Sequence, residues 1–196
     1  MQHAANDEAL DTIFRTARSQ NKWLDKPVSN ALLMAVYDLM RFGPTSANCS
    51  PARIVFLASK DSKERLKPHL SPNNVEKSMT APAVAVIGYD LDFPIHMPKL
   101  FPHNPGSKDW FNEPVLREQV AFRNGTLQGG YFIVAARALG LDCGPMSGFN
   151  NAAVDTEFFA GTNVKSNFIC GVGYGDPSGV FARSPRLEFD EACKIL

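Results

Sequence analysis

Leu10, Ile13, Phe14 and Ala17 return at the three-to-four-residue period of a helix, behind Asn6 and Asp7 as caps, and the pattern predicts a helix ending near Arg18. Leu32, Leu33, Val36, Leu39 and Met40 repeat that period behind the cap Ser29. Gly43-Pro44 ends it, because glycine permits the exit turn and proline cannot continue the ladder. Then the period changes. Ile54 to Ala58 and Ala83 to Tyr89 are continuous apolar runs suited to buried strands, separated by a charged surface helix from Asp61 to Leu70. Asn112 with Pro114 starts a long helix that runs through Phe122 to Leu139 and closes at Gly140, with Leu127, Tyr131, Val134, Ala135, Ala138 and Leu139 on one face. Gly129-Gly130 in its interior costs about 1 kcal/mol per glycine relative to alanine, which predicts a close approach there, such as packing at a subunit axis. A turn-rich stretch from Cys143 to Phe149, a short helix around Val154 to Phe159 and a strand from Phe168 to Val172 complete the pattern. Strands so unevenly separated by helices predict an α+β domain, a mixed central sheet flanked by helices, rather than a repeating parallel one.

Phe93 to Asn112 fits no single element. Pro94, Pro98, Pro102 and Pro105 alternate with Phe93, Phe101, Trp110 and Phe111, and an aromatic excursion of that length reads as a lid or wall of a binding site, with the cover of a core edge as the plainer alternative. The 196 residues, 44% of them hydrophobic, suit one domain over 1–196 with this loop-rich excursion at about 93–112. Twenty basic and twenty acidic residues cancel, so no global field recruits nucleic acid or an anionic membrane, and a small polar molecule is the expected partner. No apolar run approaches the roughly 20 residues of a membrane helix, and the start of the chain lacks a signal-peptide core; a cytoplasmic protein is expected.

Cys49, Cys143, Cys170 and Cys193 form no C-x-x-C pair and have no histidine at metal-ligand spacing, so neither a zinc site nor a disulfide framework is expected. Cys49 reads as a space filler more readily than as a nucleophile, since no base partner is evident. Gly171-Val172-Gly173-Tyr174-Gly175-Asp176 imitates a dinucleotide fingerprint, but Pro177 and Ser178 follow where a helix N-terminus is required. Three polar groups are left over: Arg18-Ser19-Gln20-Asn21, the loop Gly43 to Pro51, and Arg183 with Arg186. The loop offers short hydroxyl and amide edges to a planar ligand. The arginines, from opposite ends of a neutral chain, suit a phosphate that their planar forks grip bidentately.

The order of these groups carries a resemblance. R-S-x-N-x-W from Arg18 to Trp23, P-T-S-A-N-C-S-P from Pro44 to Pro51, N-x-x-K at Asn74 and Lys77, A-L-G-L-D-C-G-P-M-S-G-F from Ala138 to Phe149, then V-G-Y-G-D and R-x-x-R-L, resemble the FMN-dependent nitroreductase family across essentially the whole chain. Within it, the stretches 41–53 and 144–149 are most similar to members that reduce malonic semialdehyde to 3-hydroxypropionate in pyrimidine utilisation.

The resemblance implies a homodimer with FMN at its interface, reduced by NADPH or NADH. It implies Arg18, Ser19, Arg183 and Arg186 on the phosphate, with Asn21 beside them, and Pro44, Thr45, Ser46 and Asn48 along the isoalloxazine and ribityl edge. Asn74 and Lys77 fall near the pyrimidine end, and Pro145, Met146, Ser147 and Gly148 on the other face. Lys77 and Ser147 are the expected catalytic residues, Lys77 because a cation there stabilises the reduced ring. Arg123, in the polar island Arg123-Asn124, is the candidate cation for a substrate carboxylate, with an inter-subunit ion pair or a helix-surface charge as the alternative reading, and Trp110 and Phe111 are the candidate substrate walls. Ala17 and Asn21 stand where members commonly carry basic residues, which predicts weaker FMN binding. Broad nitro or quinone reduction, or flavin binding without turnover, are the alternatives.

Overall fold

The computed structural model describes residues 4–196. Its centre is a four-stranded sheet in the order β1 (Ala52–Leu57), β2 (Ala83–Asp90), β4 (Val164–Gly173) and β3 (Asp142–Met146). All three pairings are antiparallel. Among the described residues the parallel component expected of a mixed sheet is confined to an isolated bridge between Ser19 and Cys143. β2 is buried at every position, as its unbroken apolar run requires of a central strand. β4 extends four residues before the expected strand, because the polar start Val164-Lys165-Ser166-Asn167 masks its pairing with β2.

The helix expected to reach Arg18 is shorter. α1 (Asp7–Leu10), capped by Asn6, widens into a π-helical turn over Asp11–Arg15, and the chain leaves it at Thr16. α2 (Asn30–Met40) is capped by Ser29, whose Oγ accepts from Leu32 N, and it buries Leu33, Val36 and Met40. α3 (Lys60–Leu66) ends earlier than expected. After it comes a helix that periodicity does not reveal, α4 (Pro72–Met79), since only Val75 and Met79 in it are large and apolar. The aromatic excursion forms no single element: it folds as 3-10 turns at Phe93–His96 and Pro105–Phe111 around the short α5 (Met97–Leu100).

α6 (Pro114–Ala138) crosses the sheet. Glu113, not Asn112, is its cap, accepting from the N–H groups of Val115 and Leu116, which holds the Glu113 carboxyl below its ordinary range. Its buried face also differs from the expected one. Ala121, Asn124, Gly125, Gln128, Gly129, Phe132, Ala135 and Ala136 face inward, and Leu127 is exposed. A Cβ on Gly129 would lie 2.5 Å from the Phe168 ring, so that glycine lets α6 approach β4, whereas nothing lies within 4 Å of a Cβ on Gly130. α7 (Asn151–Phe158) packs on β4, and a short α8 (Phe189–Ala192) lies near the chain end.

One core lies between the sheet, α2 and α6 (Leu33, Val36, Ile87, Phe132), and a second lies under α3, α4 and α7 (Leu66, Val84, Val86, Val154). A third gathers the excursion around Phe93, Met97 and Phe111. The Trp23 indole lies over the strand glycines. A Cβ on Gly171 would meet its Cζ2 at 2.6 Å, and its Nε1 donates to the Lys77 carbonyl at 2.8 Å.

Candidate functional site

The segment after α1 runs along the free edge of β3. Gln20 N donates to the Cys143 carbonyl at 3.0 Å, and the Gln20 side chain reaches Asp142, whose second oxygen accepts from Gly175 N at 2.9 Å. These bonds fix Arg18, Ser19 and Asn21 where the chain from Pro177 onward returns. Arg18 donates to the Phe181 carbonyl, Arg183 to the carbonyls of Arg15 and Ala17, and Asn21 contacts the Gly179 carbonyl at 3.4 Å. A cavity of about 300 Å³ opens between them and brings together Arg18, Ser19, Asn21, Arg183 and Arg186, with Arg137 as a further lining residue.

A second cavity, about 610 Å³, shares Asn21 and Phe181 with the first and continues past Gly179 to Lys77 on α4. α4 is tied in turn to the end of β3. Asn74 Nδ2 donates to the Gly148 carbonyl at 2.8 Å, a bond shielded by the burial of Asn74, while the same carbonyl accepts from Ser71 N at 3.0 Å. Asn74 therefore holds the Pro145–Gly148 segment. Met146 is buried, with its sulfur against the Ser78 hydroxyl at 3.6 Å, whereas Pro145 and Ser147 are exposed. The fold thus sets arginines, amides and Lys77 along two adjoining cavities. The Asn74–Gly148 bond continues this strip along the β3 edge to the 145–148 segment, whose Pro145, Met146 and Ser147 line a separate opening with Ile133 and Phe168.

The loop Pro44–Asn48 lies elsewhere. It precedes β1, the opposite edge of the sheet. Met146, Ile169, Val86 and Val55 form one row across it, so about 14 Å separates the two edges, at roughly 4.8 Å per strand. Within one chain Ser147 and Asn48 thus stand at opposite edges of the sheet. Ala47, Asn48 and Ser50 have φ of 47°, 53° and 41°, conformations that cost non-glycine residues on the order of 1–3 kcal/mol each and persist only where neighbours enforce them.

Two carboxamides enforce them, and sequence reasoning did not assign them. Asn124 Oδ1 accepts from Ser46 N at 2.9 Å, and Gln128 Oε1 accepts from Ala52 N at 2.8 Å. They lie one turn apart on the buried face of α6, and two amides four residues apart in a helix that crosses a sheet were the available signal. Thr45 Oγ1 accepts from Ser50 N, and Asn48 Nδ2 donates to the Leu100 carbonyl at 2.8 Å, so the loop also leans on the excursion. Cys49 is fully buried beneath it, and burial pushes its thiol up to about 11, which suits a space filler and not a nucleophile. Of the aromatic walls expected at the substrate, Trp110 is 50% exposed. Phe111 is 6% exposed and packs on Phe93 at 4.9 Å between ring centroids, so it serves the third core and not a substrate. Arg123 is exposed beside Asn124 and joins no ion pair among the described residues. Among the described residues, no helix is long and apolar enough to cross a membrane.

Comparison with known proteins places this geometry. The sequence profile described as the nitroreductase family matches residues 14–175. A protein of Cupriavidus pinatubonensis carrying the provisional name NADH dehydrogenase/NAD(P)H nitroreductase is 62% identical over 192 residues, 96% of this chain and 98% of that protein. HadB of Ralstonia pickettii, with the same provisional name, is 60% identical over 95% of this chain and 97% of its own. Among solved structures, a provisionally assigned nitroreductase from Exiguobacterium sibiricum in complex with FMN aligns with a TM-score of 0.86 at 16% identity, covering both chains completely. At that identity the likeness is one of fold.

Proposed function

The chain belongs to the nitroreductase family, and on that premise we propose that it is an NAD(P)H-dependent, FMN-dependent oxidoreductase that works as a homodimer in the cytoplasm. The observation that carries the reading is the strip along the β3 edge. It begins in a carboxylate-free cavity of arginines of a size for a phosphate, and passes through amides and Lys77 to an exposed serine, the sequence of partners that a flavin nucleotide requires from one end to the other. The relatives' names point the same way.

FMN, when bound, supplies a carrier that accepts two electrons from a reduced nicotinamide and passes them to a second substrate. The protein supplies the rest. Arg18, Ser19, Arg183 and Arg186 would hold the phosphate. Asn74 fixes the Gly148 end of the 145–148 segment, whose Ser147 and Gly148 N–H groups and Ser147 hydroxyl would face the ligand. The Lys77 ammonium would stand near the part of the ring on which negative charge accumulates on reduction. The remaining edge is supplied by Pro44, Thr45, Ser46 and Asn48 of a second copy, since one chain keeps them on the far edge of the sheet. Exposed Met34, Tyr37, Phe42, Phe122 and Leu127 on and beside α2 and α6, with the open Gly130, give that copy an apolar face to cover.

The substrate that the local sequence resemblance favours is malonic semialdehyde. Its reduction to 3-hydroxypropionate consumes one NAD(P)H and one proton and converts the aldehyde to a primary alcohol. Arg123, exposed and outside any ion pair, is the cation available to its carboxylate, with Trp110 as a wall. Two measurements test the proposal. Anaerobic addition of NADPH, then NADH, to the yellow protein bleaches its visible absorption; an unbleached flavin means binding without turnover and overturns the enzyme. Steady-state assays on malonic semialdehyde, a nitroaromatic and a quinone show a preference for the semialdehyde, and comparable kcat/KM on all three removes that substrate in favour of broad nitro and quinone reduction.

A further inference from the structure

Arg137 is the residue of the arginine cavity that the sequence did not single out. It sits in the last turn of α6, where a cation also complements the negative helix end. Its Nη1 donates to the Ile13 carbonyl in the π-helical turn at 3.1 Å, while its Nε is buried and has no partner. With Nη1 anchored and Nε shut off from solvent, Nη2 is the guanidinium nitrogen left free to donate to an oxygen of a tetrahedral anion in the cavity. The neighbours supply no anion. Arg18, Arg137, Arg183 and Arg186 line the cavity together with no carboxylate, and their hydrogen bonds among the described residues go to backbone carbonyls. Four guanidinium groups gathered in a chain of zero net charge repel one another unless a dianion joins them.

We propose that Arg137 is a phosphate ligand of the cofactor cavity and supplies from α6 the positive charge that Ala17 and Asn21 do not supply from the N-terminal segment. This rests on the reading of the strip as a flavin nucleotide site. On this assignment the substitutions at 17 and 21 do not leave the phosphate under-neutralised, because the charge comes from a different element. The Ile13 contact couples the same side chain to the π-helical turn, so α1 and the phosphate share one anchor.

The test compares FMN with riboflavin, which is the same flavin without the phosphate. Dissociation constants of both are measured by flavin fluorescence on apoprotein, for wild type, Arg137→Met and Arg137→Lys, with far-UV circular dichroism to confirm folding. Arg137→Met weakens FMN roughly ten- to a hundredfold, the loss of a charge-assisted contact, and leaves riboflavin unchanged. Arg137→Lys, which keeps the charge and loses the planar guanidinium donor anchored on Ile13, falls between. Unchanged FMN affinity in Arg137→Met overturns the assignment. So does an equal loss of FMN and riboflavin, which would make Arg137 a support for the π-helical turn alone; if Arg137→Met does not fold, a Lys variant indistinguishable from wild type in both ligands overturns it instead. A wild type that binds FMN no better than riboflavin is a separate failure, that of the phosphate cavity itself.

Discussion

Replacing Asn124 with leucine tests whether α6 enforces the strained loop. The two side chains have similar volume, so no large cavity is left, and what disappears is the acceptor for Ser46 N at 2.9 Å together with a donor to the Val120 carbonyl. Asn124 is only 4% exposed, but Ser46 itself is exposed, so water can take over part of the lost bond. The expected cost is therefore about 1–2 kcal/mol, between the net worth of a hydrogen bond and the penalty of a stranded N–H. For a domain of this size that lowers Tm by about 2–8 °C. The loss is local as well as global: with Ser46 N released, Ala47, Asn48 and Ser50 relax from positive φ, and the segment between Pro44 and Pro51 opens to limited proteolysis. The assay is urea unfolding at one fixed protein concentration, paired with a proteolysis time course read by mass spectrometry. A variant with the wild-type midpoint and an equally resistant loop would refute the reasoning.

Three further outcomes follow from the same geometry. Gly129→Ala forces the Phe168 ring aside and costs about 1–3 kcal/mol, whereas Gly130→Ala meets open space and gains up to about 1 kcal/mol in helix propensity while weakening self-association; equal melting temperatures for the two would contradict the packing of α6. Of the four thiols only Cys193 reacts rapidly with a disulfide reagent at pH 8 in native protein, since Cys49, Cys143 and Cys170 are buried and the Cys49 and Cys170 thiols are pushed above their ordinary values; rapid titration of Cys49 would reopen its reading as a nucleophile. Lys77→Ala slows flavin reduction by NAD(P)H in stopped flow more than it weakens FMN binding, and equal rates in variant and wild type would remove its catalytic role.

The legible parts of the chain were those where large apolar residues carry the pattern. β2 and α2 are such cases, and Ser29 caps α2 as its spacing from Leu32 suggests. The buried face of α6 was misread because it is built from glycine, alanine, Asn124 and Gln128, which a hydrophobic period does not register. α4 was missed for the opposite reason: it presents mostly polar residues and is set by the Ser71-Pro72 start and by the bond from Asn74 to Gly148. The arginine cavity was legible only in part. Arg18, Arg183 and Arg186 stand in recognisable motifs, but Arg137 lies amid alanines at a helix end and reaches the cavity only through the tertiary approach of α6 to the turn at Ile13. Strain at Ala47 and Ser50 leaves no compositional trace, since it depends on the partners of the loop and not on its own residues.

The chain has two tryptophans, and they report on different places. The Trp23 ring is pinned on the sheet glycines with its N–H spent on Lys77, so its emission is that of a rigid, partly shielded indole beside the long cavity, while Trp110 emits from a half-solvated position on the excursion. On the proposed placement, a yellow isoalloxazine along Lys77 would lie within energy-transfer range of Trp23. With Trp110→Phe as the background, the molecule carries its own optical gauge of occupancy, readable by titration without any label.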